Sequence, residues 1–231
     1  NNRFFFFWWE IDSKCISLFN GDNKKWIQYS KGGPFCKWYG NFWLTIAFDK
    51  KNEELLSNMG NHLPSRKYYF KEGITYSAVG SKGISFRYLP VNYMIDAKGP
   101  GIFPEELKNI YYILGFLNTK LIFYICNCLD PTVSINQGDI KRIPFVHPNE
   151  NFESLLTSLS MQNVFIKKHL CQYSIIEPLY KASPISIEAD APTSISNYYT
   201  YENALLTQIL LNESVINKTV FEVYELSEHD K

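Results

Sequence analysis

Residues 31–41 read Lys-Gly-Gly-Pro-Phe-Cys-Lys-Trp-Tyr-Gly-Asn, and they separate two apolar segments with the composition of β-strands, 26–30 and 42–48. Glycine adopts backbone angles closed to other residues and proline lacks an amide donor, so this segment favours a loop over a helix or a central strand. Its lysines and aromatic rings suit a contact loop. The alternative is an ordinary hairpin loop whose rings return to the core.

The composition is that of a globular chain long enough to bury a core. The 231 residues are 45% hydrophobic, 20% charged and 16% aromatic, which allows one large domain or two smaller ones. Five cysteines without a Cys-x-x-Cys pair indicate neither a disulfide framework nor a zinc site, and they favour a reducing compartment. The chain starts without methionine or signal-peptide regions, so we expect a fragment of a larger protein.

The charged residues are unevenly distributed along the chain. Residues 1–145 hold 18 of the 23 Lys and Arg but only 12 of the 23 Asp and Glu, so the front is basic and the remainder acidic. We expect an anionic partner, if there is one, to bind the front part. The alternative is that the charge is scattered and solvated.

The pattern predicts an α+β fold, with a twisted, mainly antiparallel β-sheet domain and a packed helix, followed by a mostly helical C-terminal segment. One helix is predicted from Pro104 to Leu129, where apolar residues recur at helical spacing. Its apolar run reaches membrane-spanning length, but polar interruptions favour a buried helix over a membrane span. Residues 133–144 are predicted to form a strand that leaves the domain.

The character of the sequence changes after Pro144. Helices are predicted at residues 152–170 and again from Leu205 to Val223, with proline-rich sequence between them. We therefore divide the chain into a first domain, residues 1–147, and a helical C-terminal segment, residues 148–231.

The sequence lacks the short motifs that mark common catalytic sites. It has no phosphate-binding Gly-x-x-x-x-Gly-Lys, no Gly-x-Gly-x-x-Gly after a strand, and no His-x-x-x-His. Asp130-Pro131 lacks the second proline and the aromatic residue of the catalytic motif of amino-methyltransferases. We therefore predict no catalytic residue and no metal site in this chain.

Nucleic-acid binding is better supported, because cations and small polar residues lie in or beside the glycine-rich turns. Lysine and arginine can bind phosphates, and short polar side chains suit phosphates or base edges. An ordinary hairpin surface has the same mixture. Trp38 and Tyr39 are predicted to be structural. The candidate DNA-binding residues are Lys31, Gly33, Lys37, Asn41, Ser65, Arg66, Lys67, Thr75, Ser77, Ser81, Lys82 and Arg87.

Several motifs resemble the target recognition domain of PglX-type methyltransferases. These are adenine-specific DNA methyltransferases of BREX phage-defence systems, related to type IIG restriction-modification enzymes. The region 160–185 matches the family poorly. The motifs that carry the resemblance follow the family's order and lie at residues 31–41, 65–77, 85–88, 114–120, 137–144 and 212–226.

The resemblance implies a division of labour within a larger enzyme. A separate upstream domain would hold S-adenosylmethionine and the catalytic motif, while this chain, without a cofactor of its own, would select double-stranded DNA. Methylation of a flipped adenine requires the flanking duplex to be held. The implied partners are double-stranded DNA, the upstream domain and other subunits of the defence system, in the bacterial cytoplasm and without a membrane.

Two other classes of function stay open at this stage. A carbohydrate-binding module would use Trp26, Trp38 and Trp43 as stacking platforms. A protein-interaction module would use the acidic helical segment after residue 146.

Overall fold

The computed structural model describes residues 3–17, 21–59, 63, 65–185 and 190–227. The strands in this part are β1 (Phe5–Phe7), β2 (Trp26–Ser30), β3 (Leu44–Ala47), β4 (Gly73–Tyr76), β5 (Phe86–Leu89), β6 (Tyr93–Ile95) and β7 (Gly101–Ile102). The α-helices are α1 (Lys50–Asn58), α2 (Ile110–Leu117), α3 (Lys120–Leu129), α4 (Gln137–Ile140), α5 (Glu150–Leu170) and α6 (Ala191–Val223).

The strands form two small sheets. The first has the order β1-β3-β2-β6, in which β2 pairs antiparallel with β3 and parallel with β6. The second is antiparallel, with the order β5-β4-β7, and places Thr75 opposite Arg87. The predicted α+β class, with mainly antiparallel pairing and a helical C-terminal segment, is confirmed.

The single helix predicted between Pro104 and Leu129 is wrong, because the chain bends by 75° between α2 and α3. Asn118 causes the break: its side-chain amide donates to the Phe86 carbonyl and its oxygen accepts from the Phe86 amide, both at 3.0 Å. Thr119 then caps α3.

Among the described helices, none alone has the length and apolar character needed to cross a membrane. The bent pair Leu107–Leu117 and Lys120–Leu129 meets the length and composition test only when its two parts are taken together.

The exit strand predicted over residues 133–144 is also wrong. Ser134 forms only an isolated antiparallel bridge with Val79, and the chain then turns into α4. The Asp139 carboxylate accepts a hydrogen bond from the Asn136 amide at 3.1 Å, which fixes the start of this short helix. Local side-chain bonding to the backbone therefore replaces the strand that the apolar pattern favoured.

The two predicted C-terminal helices are present, and α6 begins well before Leu205, at a cap in which Asp190 accepts from the Thr193 amide. Helix α5 packs against both α2 and α6. Buried Asn163 and Asn212 join α5 to α6 through a 2.8 Å hydrogen bond. Apolar side chains from both sides of residue 147 share one buried cluster. The division into 1–147 and 148–231 stays a prediction.

The closest approach of α2 to α5 occurs at Gly115, where a Cβ would overlap the Ser160 hydroxyl. We expect Gly115→Val to lower the free energy of unfolding by about 1–3 kcal/mol through overpacking. The control is Gly138→Val, because nothing lies within 4 Å of a Cβ at Gly138. Urea unfolding would measure both variants, and equal losses would contradict this packing.

Candidate nucleic-acid interface

Four loop segments meet where β4 ends. They are residues 31–33 after β2, 77–82 after β4, 96–100 between β6 and β7, and 133–137 at the start of α4. We call these four segments the loop platform.

Hydrogen bonds join the segments of the loop platform directly. The Ala78 amide donates to the Lys98 carbonyl at 3.0 Å, and the Ala78 carbonyl accepts from the Ile135 amide at 2.8 Å. The Ser77 hydroxyl donates to the Gly33 carbonyl at 2.8 Å. The loops therefore hold one another in place.

Gly32 allows the first loop to approach the 96–100 turn. It has a φ of +91°, and a Cβ there would lie 2.8 Å from the Lys98 carbonyl oxygen. Both the backbone conformation and the space require glycine at this position.

The exposed surface of the loop platform is basic. Lys31, Lys82 and Lys98 are exposed. Every residue of the four segments is described, and Asp96 is the acidic one among them; it is half-buried and accepts a hydrogen bond from the Tyr29 hydroxyl. The platform therefore presents more positive than negative charge to solvent, which suits an anionic ligand.

A buried layer of polar side chains lies beneath the loop platform. Thr75 is fully buried, and its hydroxyl donates to the Pro100 carbonyl at 3.0 Å and lies 3.4 Å from the Ser30 hydroxyl. This side chain holds the 96–100 turn against the end of β2.

Arg87 belongs to the same buried layer. It is 1% exposed, and its Nη1 donates to the Ser77 hydroxyl at 3.2 Å, while Nε and Nη2 have no hydrogen-bond partner among the described residues. Burial lowers the pKa of Arg87 to about 10, with nearby Cys36 and Glu177 opposing the shift. The guanidinium therefore stays protonated at neutral pH and places a positive charge below the platform.

Asn41 is buried at the end of the 31–41 loop. Its side-chain amide donates to the Pro34 carbonyl at 2.9 Å, and its backbone amide donates to Glu177 Oε1 at 3.1 Å. Burial raises the pKa of Glu177, and the backbone hydrogen bonds it accepts oppose that shift. Asn41 thus closes the loop on itself and connects it to the segment after α5.

The side chains of Asn41, Thr75 and Arg87 are buried in this fold, and the DNA contacts predicted for them stay predictions. The Trp38 segment covers the edge of β5 beside Arg87, since the Trp38 amide donates to the Phe86 carbonyl at 2.9 Å. These polar residues organise the loops from below.

Lys37 points towards the C-terminal helix. Its ammonium lies 3.1 Å from Glu213 Oε2, and the indole of Trp38 donates to Glu213 Oε1 at 2.7 Å. Trp38 and Tyr39 are buried, so their predicted structural role is confirmed. Lys37 is paired within the protein, and its proposed contact with DNA stays a prediction.

The burial of Trp38 removes one of the three rings that the carbohydrate-binding alternative would use as stacking platforms. The other two, Trp26 and Trp43, are half-buried. Only 1% of Trp38 is exposed, and its indole nitrogen is already bonded.

The cationic segment 65–67 lies between α1 and β4, away from the turns that form the platform. Arg66 is exposed, and its Nη2 lies 3.2 Å from Glu53 and donates to Ser57 at 2.8 Å. Lys67 is exposed above the ring of Tyr68, and Ser65, also exposed, adopts a φ of +61°. The DNA contacts predicted for Ser65, Arg66 and Lys67 stay predictions.

Five of the predicted residues lie together on the platform, namely Lys31, Gly33, Ser77, Ser81 and Lys82. Sequence reasoning missed three exposed polar residues on the same surface, which are Lys98, Asn136 and Gln137. The Lys-Gly-Pro signature at residues 98–100 is the same kind of signal that marked the 31–41 loop.

Tyr76 lies below the platform with its hydroxyl buried and without a hydrogen-bond partner among the described residues. Burial raises the pKa of Tyr76 to about 12, and the negative charges of Asp139 and Cys126 act in the same direction. An unpaired buried hydroxyl is costly, so Tyr76 is, like Arg87, an incompletely paired group of the buried layer.

In the part of the chain that the structure describes, no group of three His, Cys, Asp or Glu side chains is arranged to hold a metal ion.

The fold is similar to that of a much larger protein of known structure. The chain aligns with the type IIL restriction-modification enzyme MmeI in complex with DNA at a TM-score of 0.54 and 13% identity, covering 97% of this chain and 31% of that one. This similarity shows the fold. No protein-family model matches the chain.

The sequence comparisons identify relatives. The chain is 28% identical over 219 residues to the adenine-specific methyltransferase BrxX of Escherichia coli O9:H4 (strain HS), covering 94% of this chain and 18% of that protein. It is 32% identical over 148 residues to the adenine-specific methyltransferase PglX of Lacticaseibacillus casei (strain Zhang), covering 59% of this chain and 12% of that protein.

The chain is therefore homologous to adenine-specific methyltransferases of the BrxX and PglX type, and the resemblance noted in the sequence is confirmed. The chain spans less than a fifth of the length of these curated relatives.

The unpaired nitrogens of Arg87 lead to a prediction about stability. Replacing a buried ion pair with well-packed apolar side chains of similar volume is often neutral or stabilising by about 1–4 kcal/mol, and Arg87 is a buried charge without an ion-pair partner among the described residues. We expect Arg87→Met to raise the free energy of unfolding by about 1 kcal/mol or more. Lys82→Met, at an exposed site, should stay within about 0.5 kcal/mol of the unmodified protein. A large loss in Arg87→Met, measured in urea, would mean that the guanidinium is well paired after all.

The buried hydroxyl of Tyr76 leads to a prediction about alkaline pH. The pKa of Tyr76 is higher in the folded state than in the unfolded chain. The contribution of its protonated hydroxyl to the free energy of unfolding is therefore fully present below about pH 10 and is lost as the pH rises towards about 12. Tyr76→Phe should reduce this alkaline loss, whereas Tyr199→Phe, at an exposed site, should not. Thermal unfolding across this pH range provides the measurement, and parallel curves for the two variants would contradict the assignment.

Proposed function

We propose that this chain is the DNA target recognition part of a larger S-adenosylmethionine-dependent adenine methyltransferase, in a phage-defence or restriction-modification system. The observation that carries the proposal is the homology to BrxX and PglX combined with a basic loop platform. The chain itself would select double-stranded DNA, and chemistry would occur in another part of the protein.

The geometry of the platform supports this function. Lys31, Lys82 and Lys98 lie on loops that are tied together by backbone hydrogen bonds and by the Ser77 hydroxyl. Exposed lysines bind phosphates and fix the register of a protein on a duplex, while other side chains read the bases. Loops held rigidly before binding lose less conformational entropy when the duplex arrives.

The buried charge of Arg87 adds to the attraction for DNA. A protonated guanidinium beneath the surface contributes a positive potential that salt screens less than it screens an exposed charge. Its single hydrogen bond to Ser77 orients the hydroxyl that holds Gly33. Arg87 would thus act on DNA through field and loop position without touching it.

The domain organisation follows from the same proposal. Residues 1–147 would form the recognition domain, and residues 148–231 would dock on the methyltransferase domain or on other subunits of the defence system. S-adenosylmethionine would bind the parent enzyme outside this chain. The exposed Ser65, Arg66 and Lys67 would extend the phosphate contacts, as would Lys37 if its ion pair with Glu213 opens.

The salt dependence of binding tests the proposal. In the full-length methyltransferase, we expect the double variant Lys31→Ala/Lys98→Ala to bind a labelled duplex more weakly. The slope of log affinity against log salt concentration should become shallower by about 2, since each phosphate contact contributes about 0.9.

The matched control is Lys181→Ala/Lys218→Ala, which removes two exposed lysines from the C-terminal segment. Fluorescence anisotropy over a salt series measures both double variants. Equal slopes in the two double variants would show that the platform lysines do not contact the phosphates of the DNA. Failure of the unmodified enzyme to bind duplex DNA or to methylate adenine would refute the proposed function.

A further inference from the structure

A recess of about 330 Å³ opens in the loop platform. One side is formed by the 97–100 turn, the opposite side by residues 134–137, and Tyr76 and Ala78 lie between them. The recess is thus enclosed by three of the four platform segments, which backbone hydrogen bonds hold in place. Its volume is sufficient for the edge of a base, which is smaller than the ligands that typical pockets enclose.

Tyr76 gives the recess an unsatisfied polar group. The residue is 1% exposed, its ring packs against Phe86 with centroids 5.5 Å apart, and its hydroxyl has no hydrogen-bond partner among the described residues. A tyrosine hydroxyl can both donate and accept. Because the hydroxyl itself is buried, a polar ligand atom would reach it only after the lining side chains move aside, and would then relieve the cost of this unpaired group.

The rim of the recess carries Gln137 and Lys98, both exposed. The amide of Gln137 makes no hydrogen bond to the described residues, so its donor and its acceptor are both available to a ligand. Glutamine can pair with adenine through both groups at once, because adenine presents a donor and an acceptor in the major groove.

The chemistry of the lining favours a base edge over a phosphate. The polar side chains around the recess are the amides of Asn136 and Gln137 and the hydroxyls of Tyr76 and Ser134, with Lys98 as the single cation. Phosphate sites rely on cations and backbone amides, whereas neutral groups that both donate and accept match the pattern of a base pair.

We propose that this recess reads one base pair of the recognised DNA sequence, with Gln137 as the base-contacting side chain and the Tyr76 hydroxyl as a second polar contact. This inference rests on the proposed function and specifies which residues determine specificity. Lys98, beside the recess, would contact a phosphate of the same region.

Methylation mapping in the full-length enzyme tests this inference. Genomic adenine methylation would be sequenced in cells that express the unmodified enzyme, Gln137→Ala or Tyr76→Phe. We expect Gln137→Ala to lower discrimination at one position of the methylated sequence by about 10- to 100-fold, the range of a good bidentate contact. Tyr76→Phe should relax the same position to a smaller extent.

The matched control is Gln172→Ala, which removes an amide from the turn after α5. It should leave the methylated sequence unchanged. Thermal unfolding of each purified variant shows that Gln137→Ala and Tyr76→Phe fold as the unmodified enzyme does.

The outcomes separate the two proposals. An unchanged methylated sequence in Gln137→Ala, relaxation of different positions by the two variants, or a uniform loss of methylation at every position would each overturn the assignment of the recess, while the proposed function would stand. Absence of adenine methylation by the unmodified enzyme would refute the proposed function itself.

Discussion

Both backbone polar groups of Ala78 are used to join separate parts of the chain. The amide donates to the turn at Lys98, and the carbonyl accepts from Ile135. Buried backbone groups must be paired, so the segment after β4 can lie at this place only while both neighbours are present. Three loops that are distant in sequence therefore form one surface.

The polar residues below this surface hold its loops in place but are not exposed on it. Thr75 fixes the turn at Pro100, and Arg87 orients Ser77, which holds Gly33. A buried guanidinium with two unpaired nitrogens does not contribute much to stability. Its role is to fix the position of the loops through Ser77 and to add a positive electrostatic potential beneath them.

The acidic C-terminal part complements the basic front through specific contacts. Glu213 on α6 bonds to Lys37 and to the indole of Trp38, and Glu177 accepts from the backbone of Asn41. These two carboxylates hold the 31–41 loop in place. The charge asymmetry of the sequence therefore has two parts, since some lysines pair internally and others stay exposed.

Sequence reasoning succeeded where one physical pattern decides the structure. Apolar periodicity located β2, β3, α5 and α6, because each buries a regular face. It failed at Asn118, where one buried side chain pairs with β5 and ends a helix that periodicity would continue.

The same limit explains the candidate site. Lys31 and Lys82 were found because charge in a glycine-rich turn is exposed in most folds. Asn41, Thr75 and Arg87 are also polar, yet Asn41 and Thr75 donate to backbone carbonyls and Arg87 donates to the Ser77 hydroxyl, in loops whose positions no local pattern encodes. Whether a polar residue contacts a ligand or the protein depends on which loops cover it, and that is a property of the tertiary structure.

Under the proposed function, this arrangement would separate DNA recognition from the stability of the fold. Exposed side chains such as Gln137 and Lys98 can be exchanged at a cost of roughly 0.5 kcal/mol or less, because they make few contacts within the protein. The buried layer and the backbone bonds of Ala78 preserve the shape of the loops during such exchanges. Under the proposed function, such a surface would change the DNA sequence that it reads while the frame beneath it keeps the same fold.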